Sequence, residues 1–407
     1  MSSSKPYICR IRPPFDPRVV AGADALRQEA DEAFVRRTIL GFYGGTDLIL
    51  FGAARQALEI YLKSLFATTA SRGVVLADFN CSSVLGAVER AGGNPIYVDV
   101  DHEFQYHVDQ LESAAAGDGI AAVIMTHFFG RSCWTPEIRR WASSLHARGV
   151  VVIEDCAHSF LDASQPDVGR VGDAAVFSFG NDKPLSVGKA GCLMLRSARS
   201  PELNGLVQLL GTRDVMSEYA LVSWYWICAV LTHPDVCFPG FPMVPSGDWH
   251  PGKTEFDSVA DVLTKSGDGK RLSRLSSVRT CLKQARWRGS SSLLQKAFRR
   301  LMPWIVRVND KGVDVQVPVL LGPISLGALT RALRVGLQPH VYPLRRVECY
   351  ESAARATAEI ENARRKGIEA GRYNWSPMLS ELRGGLRFRP SWAIHSSCMV
   401  NYPSWQS

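Results

Sequence analysis

The sequence predicts an α/β fold: a mainly parallel β-sheet held between helices, followed by a smaller C-terminal α+β unit. Three observations predict it. Short, nearly continuous apolar runs recur at residues 74–77, 95–100, 120–126, 149–155, 174–179 and 191–195, as strands buried on both faces require. Segments of helical period separate several of these runs. The 407 residues are 46% hydrophobic and 21% charged, an ordinary globular balance that excludes a disordered or collagen-like chain. That length suits two domains, or one large α/β domain with an appendage.

The elements follow in order. Leu58, Tyr61, Leu62 and Leu65 recur at helical spacing and form one apolar face. Residues 74–77 are a strand ending at a polar turn. Residues 83–90 read as a helix stopped by Gly92-Gly93, and residues 95–100 as the next strand. Residues 120–126 form a strand, 136–146 a helix opening on Pro136, and 149–155 a fourth strand. From residue 197 to about 265 the rhythm is lost. Prolines and aromatic residues, among them Trp224, Trp226 and Trp249, mark this stretch as an insertion within a large domain spanning 1–265. Residues 266–407 read as the small domain. It opens on an apolar helical face (Leu272, Leu275, Val278, Leu282, Ala285), then a strand at 313–321, a helix at 324–335 and an extended run through Tyr342.

The ten cysteines are scattered and form no CxxC pair, which argues against a zinc ribbon or disulfide framework and for reduced thiols in the cytoplasm. No apolar h-region follows Met1. The apolar stretch 219–232 is shorter than the roughly 20 residues a membrane-spanning helix needs. The net charge of +8 is local. Residues 265–307 hold twelve Lys and Arg against one acid, Asp268, an excess of +11 that leaves the rest at −3. No nucleic-acid motif accompanies it, so a phosphate-bearing small molecule is the expected partner.

Ligands of open α/β sheets sit at the C-terminal ends of strands. Polar residues there include Asp155, His158, Ser178 and Lys183, and Gly52-Ala53-Ala54 opens a helix. Each has a structural alternative: an N-cap, a core hydrogen-bonder, a turn residue, a solvated charge, a packing contact. In order and spacing they resemble one family. Ile153-Glu154-Asp155-Cys156-Ala157-His158 and Phe177-Ser178-Phe179-Gly180-Asn181-Asp182-Lys183-Pro184-Leu185 are similar to two signatures of the DegT/StrS-type sugar aminotransferases. Residues 91–101 and His127-Phe128-Phe129-Gly130 resemble two further stretches.

The resemblance implies a fold-type I enzyme using pyridoxal 5′-phosphate (PLP), with a large seven-stranded-type sheet domain and a homodimeric assembly. It implies Lys183 as the catalytic, Schiff-base lysine and Asp155 as partner of the cofactor's ring nitrogen. His158 would touch or flank the ring. Ser178 and the backbone of Gly52, Ala53 and Ala54 would take the phosphate, the latter as a helix N-terminus. An intact lysine also argues against the family's dehydratase branch. The sequence departs from the family in three places. Cys81 stands where an aromatic side chain stacks on the cofactor, leaving Phe79 as the nearest ring. Gly269-Lys270-Arg271-Leu272 stands where an asparagine reaches the partner's phosphate, so Lys270 or Arg271 would replace it. The loop after the lysine reads Gly188-Lys189-Ala190-Gly191. Three outcomes stay open: amino transfer from glutamate to a keto or aldehyde carbon of a sugar nucleotide or natural-product intermediate, another PLP reaction such as elimination, replacement or carbon–carbon bond formation, or a non-catalytic relative.

Overall fold

The computed structural model describes residues 28–101, 103–180, 183–188, 190–215, 218–219, 318–334, 345–349, 352–366, 371–372 and 399–403. The large unit is one seven-stranded sheet: β1 (Asp47–Phe51), β2 (Gly73–Ala77), β3 (Asn94–Val98), β4 (Ile120–Thr126), β5 (Val151–Asp155), β6 (Ala174–Ser178) and β7 (Gly191–Leu195). Its order is β1-β7-β6-β5-β4-β2-β3. β7 pairs antiparallel with both neighbours and every other pair of adjacent strands is parallel, so β7 alone runs against the rest. The mainly parallel sheet expected from the apolar runs is present.

Alternation explains those runs. Val74, Leu76, Ala122, Ile124, Val176 and Leu193 face α2 (Ala54–Thr68), α3 (Ser82–Ala91) and α6 (Pro201–Gln208). Val75, Ala77, Val123 and Met125 face α4 (Val108–Ala115) and α5 (Pro136–His146). Ala175, Phe177, Cys192 and Met194 continue that second face toward α1 (Gln28–Tyr43) and α7 (Pro323–Arg334). Both faces are covered, so neither residue of each pair is polar. Each fully buried Leu, Ile or Phe contributes about 1.5–3 kcal/mol.

The helix ends follow their sequence signals. Gly92 closes α3 in the left-handed conformation at φ 88°. Thr135 accepts the Ile138 N–H before Pro136, and Ser200 accepts the Leu203 N–H before Pro201. Each such cap stabilises by about 1 kcal/mol. α6 packs on α2 inside the large core, so the core runs past residue 197.

The described part of the smaller unit is an antiparallel sheet in the order β8-β10-β9, made of β8 (Arg345–Cys349), β9 (Gly371–Arg372) and β10 (Met399–Pro403), with α8 (Ala353–Arg365). An α+β unit was expected here, but its strands at 345–349 and 399–403 were not. Of the strand expected at 313–321, residues 318–321 appear as an extended segment with only isolated bridges from Leu320 to Phe51 and Thr212. The helix expected at 324–335 is α7. The tryptophans of the insertion, the basic segment 265–307 with Lys270 and Arg271, and the run 336–342 lie outside the described residues. No described helix is long and apolar enough to cross a membrane.

Candidate active site

The chain leaves β2 for β3 on one side, then returns to place β4 on the other. This makes a topological switch point between β2 and β4, where open α/β sheets bind ligands beyond the strand ends. Two buried polar residues meet across it. Asn80, just past β2, donates from Nδ2 to the hydroxyl of Thr126, the last residue of β4, at 3.0 Å. The Thr126 hydroxyl in turn faces Asp155 Oδ2 on the adjoining strand at 3.5 Å. Because its oxygen already accepts from Asn80, its proton is free to go to Asp155. The other Asp155 oxygen accepts the Ala157 N–H at 3.0 Å. Burial pushes the Asp155 carboxyl above its usual range. The Ala157 N–H and the charge of Lys183 pull it back, which places Lys183 within electrostatic reach.

The neighbouring residue, Glu154, is fully buried and accepts five N–H groups: His127 Nε2, Trp134 Nε1, and the backbone of Gly169, Val171 and Gly172, all at 2.7–2.9 Å. His127 Nδ1 accepts the Cys133 N–H, so the imidazole carries its proton on Nε2 and donates it to Glu154. Cys156 lies in the same cluster, and burial pushes its thiol up to about 12. The cluster is knit into its own hydrogen bonds behind the strand end.

The second part of the site lies where β6, β7 and β1 meet. Ser178 pairs with Gly191, and Gly191 pairs with Phe51, the last residue of β1. A Cβ on Gly191 would collide with the backbone of Ala53 and Ala54, so only glycine lets α2 begin directly on this row. Ala53 holds the N-cap position in extended geometry, and no side chain caps α2. Ser178 and an uncapped helix N-terminus therefore converge, an arrangement that favours an anion.

The remaining expected residues are placed as follows. The Gly52 N–H donates to Val319 O at 2.9 Å, so it is committed to the chain. Its lack of a side chain admits the buried Arg213, whose Nη1 lies 2.5 Å from where a Cβ would be. Phe79 is 2% exposed, its ring 5.7 Å from both Phe104 and Phe128. Cys81 is exposed at the N-cap of α3, its thiol 3.0 Å from the Ser83 hydroxyl. His158 Nδ1 accepts the Phe129 N–H at 3.2 Å, with the two rings stacked at 5.8 Å. Lys183 is half-buried in the turn after β6, its N–H bonded to Gly180 O. Asn80, Thr126 and Arg213 were missed in the sequence. The first two lie at or just past the ends of the strands 74–77 and 120–126, the kind of position that Asp155 and Ser178 also hold.

Residues 32–219 match the model of the DegT/DnrJ/EryC1/StrS aminotransferase family. This segment, just under half of the chain, is similar to that family. Three curated relatives are similar over parts of their length. The spore coat polysaccharide biosynthesis protein SpsC of Bacillus subtilis is 27% identical over 50% of this chain and 50% of its own. GDP-perosamine synthase of Escherichia coli O157:H7 is 30% identical over 30% and 33%. The UDP-N-acetyl-3-dehydro-alpha-D-glucosamine 3-aminotransferase of Acidithiobacillus ferrooxidans is 30% identical over 41% and 42%. The chain thus spans half or less of the length of these relatives. Among solved structures, Helicobacter pylori PseC, an aminotransferase of pseudoaminic acid biosynthesis, superposes over 98% of this chain and 93% of its own (TM-score 0.55, 12% identity). Spr1654 of Streptococcus pneumoniae in its PLP form does so over the same shares (TM-score 0.55, 13% identity). At such identities the likeness is one of fold, and that fold is the type I fold expected.

The cofactor expected from the sequence, pyridoxal phosphate, is the one this family and fold carry. The residues present fit it. A buried carboxylate and a lysine within its field serve one end. An uncapped helix start beside Ser178 and Gly191 serves the phosphate end.

Proposed function

We propose that the chain is a PLP-dependent aminotransferase. It would take an amino group from an amino-acid donor, glutamate, and pass it to a keto or aldehyde carbon of a nucleotide-linked sugar or related intermediate. The observation that carries this reading is Asp155 at the C-terminal end of β5 with the charge of Lys183 acting on it. Pyridoxal phosphate supplies an electron sink for negative charge at the donor's α-carbon.

The chain's own residues do the rest. Asp155 holds a proton on the ring nitrogen by its charge, and Thr126 and Ala157 keep its oxygens as acceptors. Lys183 Nζ would hold the cofactor and would serve as the base for the donor's α-proton. The N–H groups of Ala53 and Ala54 and the Ser178 hydroxyl hold the phosphate. His158 flanks the ring. The nucleotide-sugar relatives support a phosphate-bearing acceptor, and the basic segment with Lys270 and Arg271 suits it. A homodimer would let that segment reach the neighbouring site. A monomer with full activity would contradict this.

The test is direct. The purified chain is expected to turn yellow with PLP, and Lys183→Ala to abolish the colour. Glutamate is then expected to discharge the colour with one equivalent of 2-oxoglutarate. A protein that takes up no PLP would overturn the reading. Colour without keto-acid formation, with eliminated product instead, would move it to the lyase branch.

A further inference from the structure

Among the described residues three non-glycines hold left-handed backbone: Phe104, Phe129 and Leu161, at φ 65°, 54° and 50°. An aromatic residue rarely adopts this conformation, and such strain persists only where surrounding structure enforces it. Phe129 sits in the tight turn after β4, followed by Gly130, also left-handed at φ 80°. The turn closes on its own later groups. Gly130 N–H donates to His127 O, and Arg131 N–H donates to Phe128 O. The Phe129 N–H is turned away from this ladder, and it donates to His158 Nδ1 at 3.2 Å.

The ring of Phe129 does a second job. It lies almost parallel to the His158 imidazole, 5.8 Å between centroids and 20° between planes. Behind it the edge of Phe104 packs at 4.8 Å and 75°, and Phe129 itself is buried. The imidazole is therefore fixed in plane by stacking and in rotation by one backbone donor.

A histidine whose Nδ1 accepts a backbone N–H keeps its proton on Nε2. We propose that Phe129 is a positioning residue which presents His158 to the cofactor as an Nε2–H donor, matched to an oxygen anion on the ring. The proposal rests on the reading above that His158 flanks the cofactor. It adds which proton form His158 takes and which residue imposes it.

The test uses the full chain labelled with nitrogen-15 histidine, with and without PLP, the His158 signals being identified by their loss in His158→Gln. At neutral pH the expected signals are those of the Nε2–H tautomer. Phe129→Leu keeps the bulk and the N–H but removes the aromatic face, and is expected to weaken PLP binding about tenfold and alter the bound cofactor's absorbance. Phe129→Tyr, which restores the face, is expected to bind as the parent does. Thermal unfolding identifies a variant that has lost its fold, and the parent's spectrum still decides the tautomer. An Nδ1–H or doubly protonated His158 overturns the proposal, as does a folded Phe129→Leu with unchanged PLP affinity and absorbance. If His158→Ala binds PLP as the parent does, the placement of His158 against the cofactor fails instead, whatever its tautomer, and the proposal falls with it.

Discussion

In the role proposed for it, Asp155 must stay ionised in a place that disfavours charge. Burial raises its carboxyl, and among the groups that oppose burial are the Ala157 N–H, the charge of Lys183 and the Thr126 hydroxyl. Asp155→Asn removes the charge while keeping the shape. The rate at which glutamate converts the bound cofactor is expected to fall by about 10²–10³, the scale for losing one aimed electrostatic group, with colour retained because Lys183 is intact. Stopped-flow absorbance measures it, and a rate within twofold of the parent would deny Asp155 its role. Thr126→Val removes the weaker contact at 3.5 Å and is expected to cost several-fold, with Thr126→Ser near the parent.

At the scale of elements, β5 ends in two adjacent carboxylates with opposite duties. Asp155 faces the site, and Glu154 ties the β6-preceding loop and the β4 turn to the strand through five donors. Burial raises the Glu154 carboxyl, but the His127 and Trp134 donors and the Gly172 N–H outweigh it and hold the group below its ordinary value of 4.5. An acid whose folded value is depressed contributes stability that is present above its unfolded value and is lost as pH falls through its folded value. Urea unfolding of the parent is therefore expected to weaken below about pH 4.5. Glu154→Gln, which replaces one acceptor oxygen by a donor, is expected to lose about 3–5 kcal/mol at neutral pH and to show a flatter acid limb. An acid limb identical to the parent's would sink this account. The strands that carry these residues were legible because two-sided burial leaves no polar position in β2, and none in β4 or β6 before their last residues, Thr126 and Ser178. β1, α1 and α4 were not read, since Asp47 and the polar faces of the helices blur the pattern. Of the site, the order Asp155–His158–Ser178–Lys183 was visible as a linear motif. The Asn80–Thr126 contact joins positions 46 residues apart, and only the crossover at the switch point brings them together.

Over the whole molecule, the question is what seats residues 318–334 against the sheet. One contact contributes much of it. Glu218, fully buried, accepts the Gly322 N–H at 3.1 Å and the Ile324 N–H at 2.9 Å, and so seats the start of α7. Gly322 has no room for a side chain because the Glu218 carboxylate fills that space. α7 then packs on α1 through Leu326, Leu329 and Ala332, while Val319 and Leu321 bond to Gly52 and Leu50 at the end of β1. The ion pair between Arg334 and Asp31, at 3.2 Å and partly exposed, adds little. Arg213 ties this junction to the cofactor end, because its guanidinium lies against Gly52 and its charge acts on Glu218. Glu218→Ala is expected to lower stability by about 2–3 kcal/mol, the cost of removing a charged acceptor from buried donors. It is also expected to weaken PLP binding, since Gly52 precedes the phosphate-facing start of α2 in the chain. Glu218→Gln keeps one acceptor and is expected to fall between. Hydrogen exchange locates the effect: protection is expected to drop first in α7 and the facing side of α1, and little in β4 and β5. If exchange rises evenly across the sheet instead, α7 is not seated by Glu218 but by some other contact.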